Sequence, residues 1–119
     1  MDHIILETEE KDLTRIHELN QGALPAVSSV TVEELGHFLG IANYFRIIQV
    51  KNNIAGFLIA LTPGKDYQSP NYKWFEKHYT QFMYVDRIVI DPAFQGQGLG
   101  RAFYDDLKIF SQGLAPVIT

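Results

Sequence analysis

One stretch near the carboxyl terminus decides the fold: Asp86-Arg87-Ile88-Val89-Ile90-Asp91-Pro92-Ala93-Phe94-Gln95-Gly96-Gln97-Gly98-Leu99-Gly100-Arg101. Its apolar, β-branched residues predict a strand over residues 81–90 that stops before the proline. Alternate glycines follow, and an apolar stripe at helical spacing then predicts a helix to Gln112. A strand, a glycine-rich turn and a helix aim several free backbone N–H groups at one point, where the helix dipole adds positive charge. We therefore predict a loop that binds a diphosphate.

Two common phosphate-binding patterns do not fit this loop. A P-loop that starts at Gly96 requires Gly-Lys where Arg101 and Ala102 stand. The dinucleotide fingerprint requires a third glycine at Arg101 and an acidic residue about 20 positions further on, beyond the end of the chain. The segment Gln95-Gly96-Gln97-Gly98-Leu99-Gly100 instead resembles the signature of the GNAT superfamily of N-acetyltransferases: Gln or Arg, two residues, Gly, one residue, then Gly or Ala.

The resemblance implies acetyl-CoA (coenzyme A) as the co-substrate and no metal. The residues that it assigns to the CoA diphosphate are Gln95, Gly96, Gln97, Gly98, Leu99, Gly100 and Arg101. The pantetheine arm is expected along the main chain of Ile88, Val89 and Ile90. A backbone N–H near Val89 is expected to polarise the acetyl carbonyl. The specific motif covers residues 86–110, whereas the order of elements resembles the superfamily over nearly the whole chain.

The attacking amine must lose a proton, and members of the superfamily often use a carboxylate on this strand for that purpose. Asp86 is the nearest candidate, and a purely structural ion pair with Arg87 is the alternative. Tyr84, on the same face of the strand, is expected in the core. The resemblance implies transfer of acetyl from acetyl-CoA to a primary amine of a small molecule or protein. The alternative is a non-catalytic CoA-binding or assembly module with a degenerate active site.

Size and composition limit the other classes of function. The 119 residues are expected to form a single domain, residues 1–119, with an ordinary content of 46% hydrophobic and 20% charged residues. The net charge of −4 and the scattered basic residues argue against nucleic-acid binding. The apolar runs are too short to span a membrane, and the amino terminus lacks a signal-peptide pattern. Without cysteine there are no disulfides or thiolate metal sites, and we expect a cytoplasmic protein.

The remaining chain predicts further strands and helices. Strands are expected at residues 3–6, 44–50 and 54–61, and helices at residues 11–21, from Thr31 to about Gly40, and at residues 71–79. Thr31 and Glu34 have the spacing of a capping box. Ser69 and Pro70 are typical of a helix start, and Gly56 indicates a bulge in a strand buried on both faces. This order predicts an α/β (α+β) domain with a mixed, largely antiparallel sheet flanked by helices.

Residues 115–119 predict the start of another strand, which a right-handed crossover makes parallel to residues 81–90. Members of the superfamily continue beyond this point through a complete strand, another helix and a closing hairpin. We therefore expect a GNAT-like acyl-CoA acyltransferase fold that lacks its carboxy-terminal strands and helix. The open sheet edge is expected to pair with a second copy, which predicts a homodimer.

Overall fold

A computed structural model of the chain describes residues 2–112. These residues form, in chain order, β1 (Ile4–Glu7), α1 (Leu13–Gly22), α2 (Val32–Ile41), β2 (Tyr44–Val50), β3 (Asn53–Leu61), α3 (Pro70–His78), β4 (Tyr84–Ile90) and α4 (Leu99–Ser111). Short 3-10 turns precede α1 at Glu10–Asp12 and follow β4 at Pro92–Phe94. The strand expected at residues 115–119 lies outside the described residues.

Two helices begin with the capping chemistry that the sequence predicts. The Thr31 hydroxyl accepts a hydrogen bond from the Glu34 N–H at 3.0 Å, and the Glu34 carboxylate accepts one from the Thr31 N–H at 2.9 Å. Ser69 accepts from the Tyr72 N–H at the start of α3, where Pro70 is the first helical residue. Both predictions are confirmed. Each cap satisfies amides that the carbonyls of its own helix cannot reach.

The predicted element boundaries lie within two residues of the observed ones, except at β4. This strand begins at Tyr84, three residues later than predicted. Tyr84 pairs with Leu61, the last residue of β3. The chain after Leu61 turns at Pro63, which has no N–H to extend the ladder. The pairing of β3 with β4 therefore stops at Tyr84, and Phe82, two residues earlier, is fully buried in the core.

The four strands lie in the sheet in their chain order, β1-β2-β3-β4, and each neighbouring pair among them is antiparallel. The predicted α/β class and largely antiparallel sheet are confirmed. β3 lies inside the sheet and is buried along residues 55–61, as expected of a strand covered on both faces. The parallel pairing that the sequence predicts involves residues 115–119 and so falls outside the described chain.

Helices cover both faces of the sheet. α1, α2 and α3 pack on one face, where Ile16 and Leu35 are fully buried. α4 covers the other face with Leu99, Phe103 and Leu107, which recur every four residues along one side of the helix. Each of these buried side chains contributes about 1.5–3 kcal/mol to the hydrophobic stabilisation. Within residues 2–112, none of the helices combines the length and apolar character that crossing a bilayer requires.

The bulge that the sequence predicts at Gly56 is confirmed. Gly56 pairs with Ile48 of β2, but the next residue of β2, Gln49, pairs with Ile54. Ala55 is therefore the extra residue on β3, directly beside the glycine. A bulge locally increases the twist of a strand pair. Here it lies opposite the carboxyl end of β4, where the glycine-rich loop begins.

Candidate functional site

The glycine-rich loop joins β4 to α4, and two left-handed residues set its shape. Gly96 has a φ of 81° and Gly98 a φ of 77°, a backbone region that residues with a Cβ rarely adopt. Gly98 immediately precedes the first residue of α4. A Cβ built on Gly96, Gly98 or Gly100 would meet no heavy atom within 4 Å among the described residues. The space over the loop is therefore open.

The start of α4 presents backbone amides to this open space. The N–H groups of Leu99, Gly100 and Arg101 lie in the first helical turn, where no helical carbonyl precedes them. Gly98 has no side chain to cap them, and the first turn of α4 contains no acidic residue. Arg101 is exposed in the same turn. The amides, the helix dipole and the guanidinium charge together favour an anion at this position.

Asp91 fixes the chain just before the loop. Its Oδ1 accepts a hydrogen bond from the Ala93 N–H at 3.0 Å, and its Oδ2 lies 2.7 Å from Nη2 of Arg15 in α1. The Asp91 N–H donates to the carbonyl of Ala55 at 2.7 Å. The beginning of the loop is thus tied to α1 and to β3 at once. This anchoring fixes the start of the loop relative to the sheet and to α1.

A depression of about 340 Å³ lies between the end of β4 and the loop. The residues that line it are Ile88, Ile90, Phe94, Gln95, Gly96, Gly98, Leu99 and Gly100. The structure therefore brings together seven of the ten residues predicted to bind the cofactor, and it adds Phe94. Gln97 and Arg101 are exposed nearby in the loop and first turn. Val89 is buried on the opposite face of β4, in the core beneath α1 and α2.

A hydrogen bond at the end of β4 shows which main-chain groups point outward. The Asp91 N–H donates to Ala55, the residue opposite it in the register, which marks a hydrogen-bonded pair. Such pairs alternate along antiparallel strands, so Val89 also directs its N–H and C=O toward β3. Ile88 and Ile90 direct theirs away from β3, to the edge of the described sheet. The outward N–H groups near Val89 thus belong to Ile88 and Ile90.

Asp86 occupies a second bulge, in β4. Ile59 of β3 pairs with Arg87, but the next residue, Ala60, pairs with Val85, so Asp86 is the extra residue. Both Asp86 and Arg87 consequently direct their side chains toward the face covered by α1 and α2. In a regular strand, successive side chains point to opposite faces, so one of the two would point to the face covered by α4. The bulge is therefore what brings the predicted carboxylate and its neighbour together.

Both oxygens of the Asp86 carboxylate have partners. Oδ1 accepts a hydrogen bond from the Tyr67 hydroxyl, and Oδ2 lies 2.7 Å from Nε of Arg87. The side chains of Asp86 and Arg87 are only 5% and 6% exposed. Arg87 extends the network to Oδ1 of Asn20 at 2.9 Å and to the carbonyl and hydroxyl of Ser28 at 3.0 and 3.1 Å. The structural ion pair expected as the alternative role of Asp86 is present.

Sequence patterns do not identify two of the residues at this site. Tyr67 lies in the connection between β3 and α3, 19 positions from Asp86, and Arg15 lies 76 positions from Asp91. Only tertiary packing joins such distant positions, so local spacing contains no signal for them. Burial and the hydrogen bond to Asp86 raise the pKa of Tyr67 well above its ordinary value. The phenol therefore stays protonated and donates to the carboxylate.

The aromatic residues of α3 divide between core and surface. Their helical spacing predicts that most lie in the core. Tyr72 is fully buried, and Phe75 packs against the same cluster. Trp74 and Tyr79 are instead 50% and 42% exposed, because α3 contacts the sheet with one face only. Tyr84 is buried as expected, with ring centroids 5.6 Å from Tyr72 and 5.8 Å from Phe75.

Two of the histidines, His37 and His78, contact backbone carbonyls. His37 Nε2 lies 2.8 Å from the carbonyl oxygen of Asp66, and His78 Nδ1 lies 2.8 Å from that of Trp74. The His78 ring also stacks on Trp74, with 4.1 Å between centroids. Across residues 2–112, no three His, Asp or Glu side chains converge as ligands of a metal ion would.

The fold and the loop together define the class of protein. The last strand of the antiparallel sheet that the structure describes leads through an open glycine-rich turn into a helix that covers one face. The model of the family described as "Acetyltransferase (GNAT) family" matches residues 6–113. The chain therefore belongs to the GNAT acetyltransferase family. No curated protein matches the chain.

Solved structures share this fold. Ard1 from Thermoplasma volcanium gives a TM-score of 0.73 at 16% identity, over 94% of this chain and 66% of that one. The ribosomal-protein-S18-alanine N-acetyltransferase from Escherichia coli gives 0.71 at 19% identity, over 98% and 66%. Arabidopsis thaliana Naa50, in complex with the bisubstrate analogue CoA-Ac-MVNAL, gives 0.72 at 10% identity, over 99% and 70%. The chain spans 66% of the length of the first two structures, and at these identities the likeness establishes the fold alone.

Proposed function

We propose that this protein is an N-acetyltransferase that moves acetyl from acetyl-CoA to a primary amine of a small molecule or protein. The observation that carries the proposal is the open depression beside Gly96, Gly98 and Gly100. Free helix amides meet the outward edge of β4 there. An anionic group and an extended polar arm are accommodated side by side at such a junction. Membership of the GNAT family supports this reading.

The residues present suit coenzyme A. The amides from Gly96 to Arg101 would hold the diphosphate, since no Cβ fills the space above the glycines. The outward N–H and C=O groups of Ile88 and Ile90 would pair with the amides of the pantetheine arm, like an added strand. Gln95 donates to the Ile90 carbonyl at 3.4 Å, which ties the loop to this edge. Val89 would contribute its side chain to the underlying core.

Bound acetyl-CoA would supply an activated thioester carbonyl. In our proposal an outward N–H of Ile88 or Ile90 donates a hydrogen bond to the oxygen on which negative charge develops during attack. Asp86 takes the proton that the amine loses. Acetyl would pass directly to the amine, without a covalent bond to the enzyme, and coenzyme A would leave as the free thiol with the second proton of the amine. The net charge of −4 favours a cationic amine through long-range attraction. The homodimer and the cytoplasmic location stay predictions.

One observation favours a second candidate function, a CoA-binding or assembly module without turnover. Both oxygens of Asp86 are already bonded, to Tyr67 and to Arg87. A carboxylate held in this way is a natural structural element, since a buried charge requires such partners. If this second function is correct, the protein binds CoA but releases no thiol from acetyl-CoA.

Incubation with acetyl-CoA and a panel of primary amines separates the two functions. Free thiol is measured over time, with and without each amine, and CoA binding is measured in parallel by calorimetry. We expect thiol release that depends on the amine. Tight CoA binding without amine-dependent release from any member of the panel would contradict the enzyme and favour the module.

A further inference from the structure

We propose that the acceptor's primary ammonium enters a small cavity between α2 and the β3–α3 connection, and that Tyr67 passes its proton to Asp86. This inference rests on the proposed acetyltransferase function. It adds the entrance, the apolar stem of the acceptor and a residue that touches the amine.

The cavity has a volume of about 240 Å³ and is lined by Glu33, Glu34, His37, Phe38 and Tyr67. The rings of Phe38 and Tyr67 meet edge to face, with 5.1 Å between centroids. Aromatic rings attract a cation, and they also accept the apolar body of an alkyl or aryl amine. Glu33 and Glu34 add negative charge, although Glu34 also caps α2. The lining therefore suits a cationic amine with an apolar stem.

The cavity and the depression beside the glycine-rich loop lie on opposite faces of β4. Phe38 and Tyr67 belong to the core under α1 and α2, whereas Ile88 and Ile90 pack on the α4 side. Asp86 is two residues from Ile88, about 7 Å along the strand. An acceptor and a cofactor can therefore approach β4 from different sides. Direct transfer requires both reactants to be bound at once, and separate approaches allow this.

Tyr67 connects the cavity to the carboxylate. Tyr67 lines the cavity, and its hydroxyl donates to Oδ1 of Asp86. The phenol oxygen keeps a lone pair that is able to accept an N–H. As the N–H bond of the ammonium breaks, its proton moves to the Tyr67 oxygen, and the proton of Tyr67 moves to Asp86 Oδ1. The phenol stays neutral, the amine becomes nucleophilic and Asp86 becomes a neutral carboxylic acid.

The relay explains how a buried carboxylate takes part although both of its oxygens are bonded. Tyr67 already holds the hydrogen bond along which the proton moves, so no bond to Asp86 has to be broken first. Arg87 and Tyr84 also lie near this pair, and Glu33, Glu34 and His37 line the cavity with Tyr67. Burial raises the pKa of Tyr67, which keeps a proton on the phenol at neutral pH. Tyr67 is therefore protonated when the amine binds, as the relay requires.

The test is Tyr67→Phe, which keeps the ring and removes only the hydroxyl. We expect kcat to fall roughly 100-fold or more, the usual range for loss of a general base, with little change in the KM of the amine or in CoA affinity. Asp86→Asn is expected to lose as much, and the double variant no more than either, because the two residues act as a unit. The matched control is Tyr79→Phe, an exposed tyrosine at the end of α3, which should retain wild-type kcat.

Amine entry is tested separately by NMR with benzylammonium and its neutral analogue benzyl alcohol. We expect benzylammonium to shift the amide signals of α2 and benzyl alcohol to leave them unchanged. Glu33→Gln is expected to weaken the binding of benzylammonium several-fold. Amide shifts outside α2, or equal binding of the alcohol, would overturn the proposal that the ammonium enters this cavity. Wild-type turnover combined with unchanged kcat in folded Tyr67→Phe would overturn the relay and leave the proposed function intact. A wild type that releases no thiol with any amine would overturn both proposals.

Discussion

The carbonyl oxygen of Val89 lies so close to Gly56 that a Cβ built on the glycine would stand 2.5 Å from it. The same Cβ would lie 2.7 Å from Cδ1 of Ile90. Real Cβ atoms do not approach a backbone oxygen this closely, so the absence of a side chain at Gly56 allows β4 to take its observed position. That strand carries the outward main-chain groups of the candidate site.

Gly56→Ala is therefore expected to displace β4. We predict a loss of about 1–3 kcal/mol in the free energy of unfolding, the usual cost of overpacking, and weaker CoA binding. Urea denaturation measures the first effect. The control is Gly36→Ala in α2, where a Cβ meets nothing within 4 Å. This change should stabilise the protein by about 0.5–1 kcal/mol, since alanine favours a helix. Similar stabilities for the two variants would contradict the close approach.

Arg87→Met tests the buried network. The methionine fills much of the same space, but Asp86 loses its charged partner and Asn20 loses a donor. An unpaired buried charge costs about 3–5 kcal/mol, so we expect a loss of that size in the free energy of unfolding. Arg101→Met, at an exposed position, should change stability by less than about 0.5 kcal/mol. Equal losses in guanidinium denaturation would show that the network contributes little.

Stability is expected to fall at alkaline pH. Burial is the main cause that raises the pKa of four tyrosines above the ordinary value of 10.0: Tyr44, Tyr67, Tyr72 and Tyr84. Above pH 10 the unfolded chain releases these protons while the folded chain retains them, so folding is favoured less as pH rises. Each tyrosine lowers the free energy of unfolding by up to about 1.4 kcal/mol for each pH unit above 10. Below pH 10 the stabilisation from these buried, protonated tyrosines is fully present.

Denaturation between pH 9 and 11 measures the effect, with Tyr44→Phe as the comparison. Removing one buried phenol should reduce the steepness of the loss above pH 10. A free energy of unfolding that stays level across this range would contradict the burial of these hydroxyl groups.

Local spacing predicts a large part of the fold. The Thr31–Glu34 cap, the Ser69–Pro70 start and the bounds of β2 depend on residues that are near one another in sequence, and each is observed. The start of β4 depends instead on where its partner strand ends. Since Leu61 is the last residue of β3, the pairing of β3 with β4 stops at Tyr84. No pattern within residues 81–90 contains that information.

The candidate site shows the same division. The residues of the loop are predicted because glycines at alternate positions and a following helix are sequence features. The bulge at Asp86 is not, because it depends on the register between β3 and β4. Without the bulge, strict alternation would place Asp86 and Arg87 on opposite faces. The contact of Asp86 with Tyr67 depends in turn on the path of the β3–α3 connection.

The most direct test of the central claim is the affinity for CoA of the wild type and of Gly98→Glu, measured by calorimetry. The glutamate would place a negative side chain in the open space over the loop amides. The matched control is Gly64→Glu, since Gly64 is also exposed, has a φ of 87° and lies in a turn outside the candidate site. We predict that Gly98→Glu loses more than about tenfold in affinity, equivalent to about 1.4 kcal/mol, whereas folded Gly64→Glu binds as the wild type does. Equal affinities for the wild type and Gly98→Glu would contradict a diphosphate site at this loop.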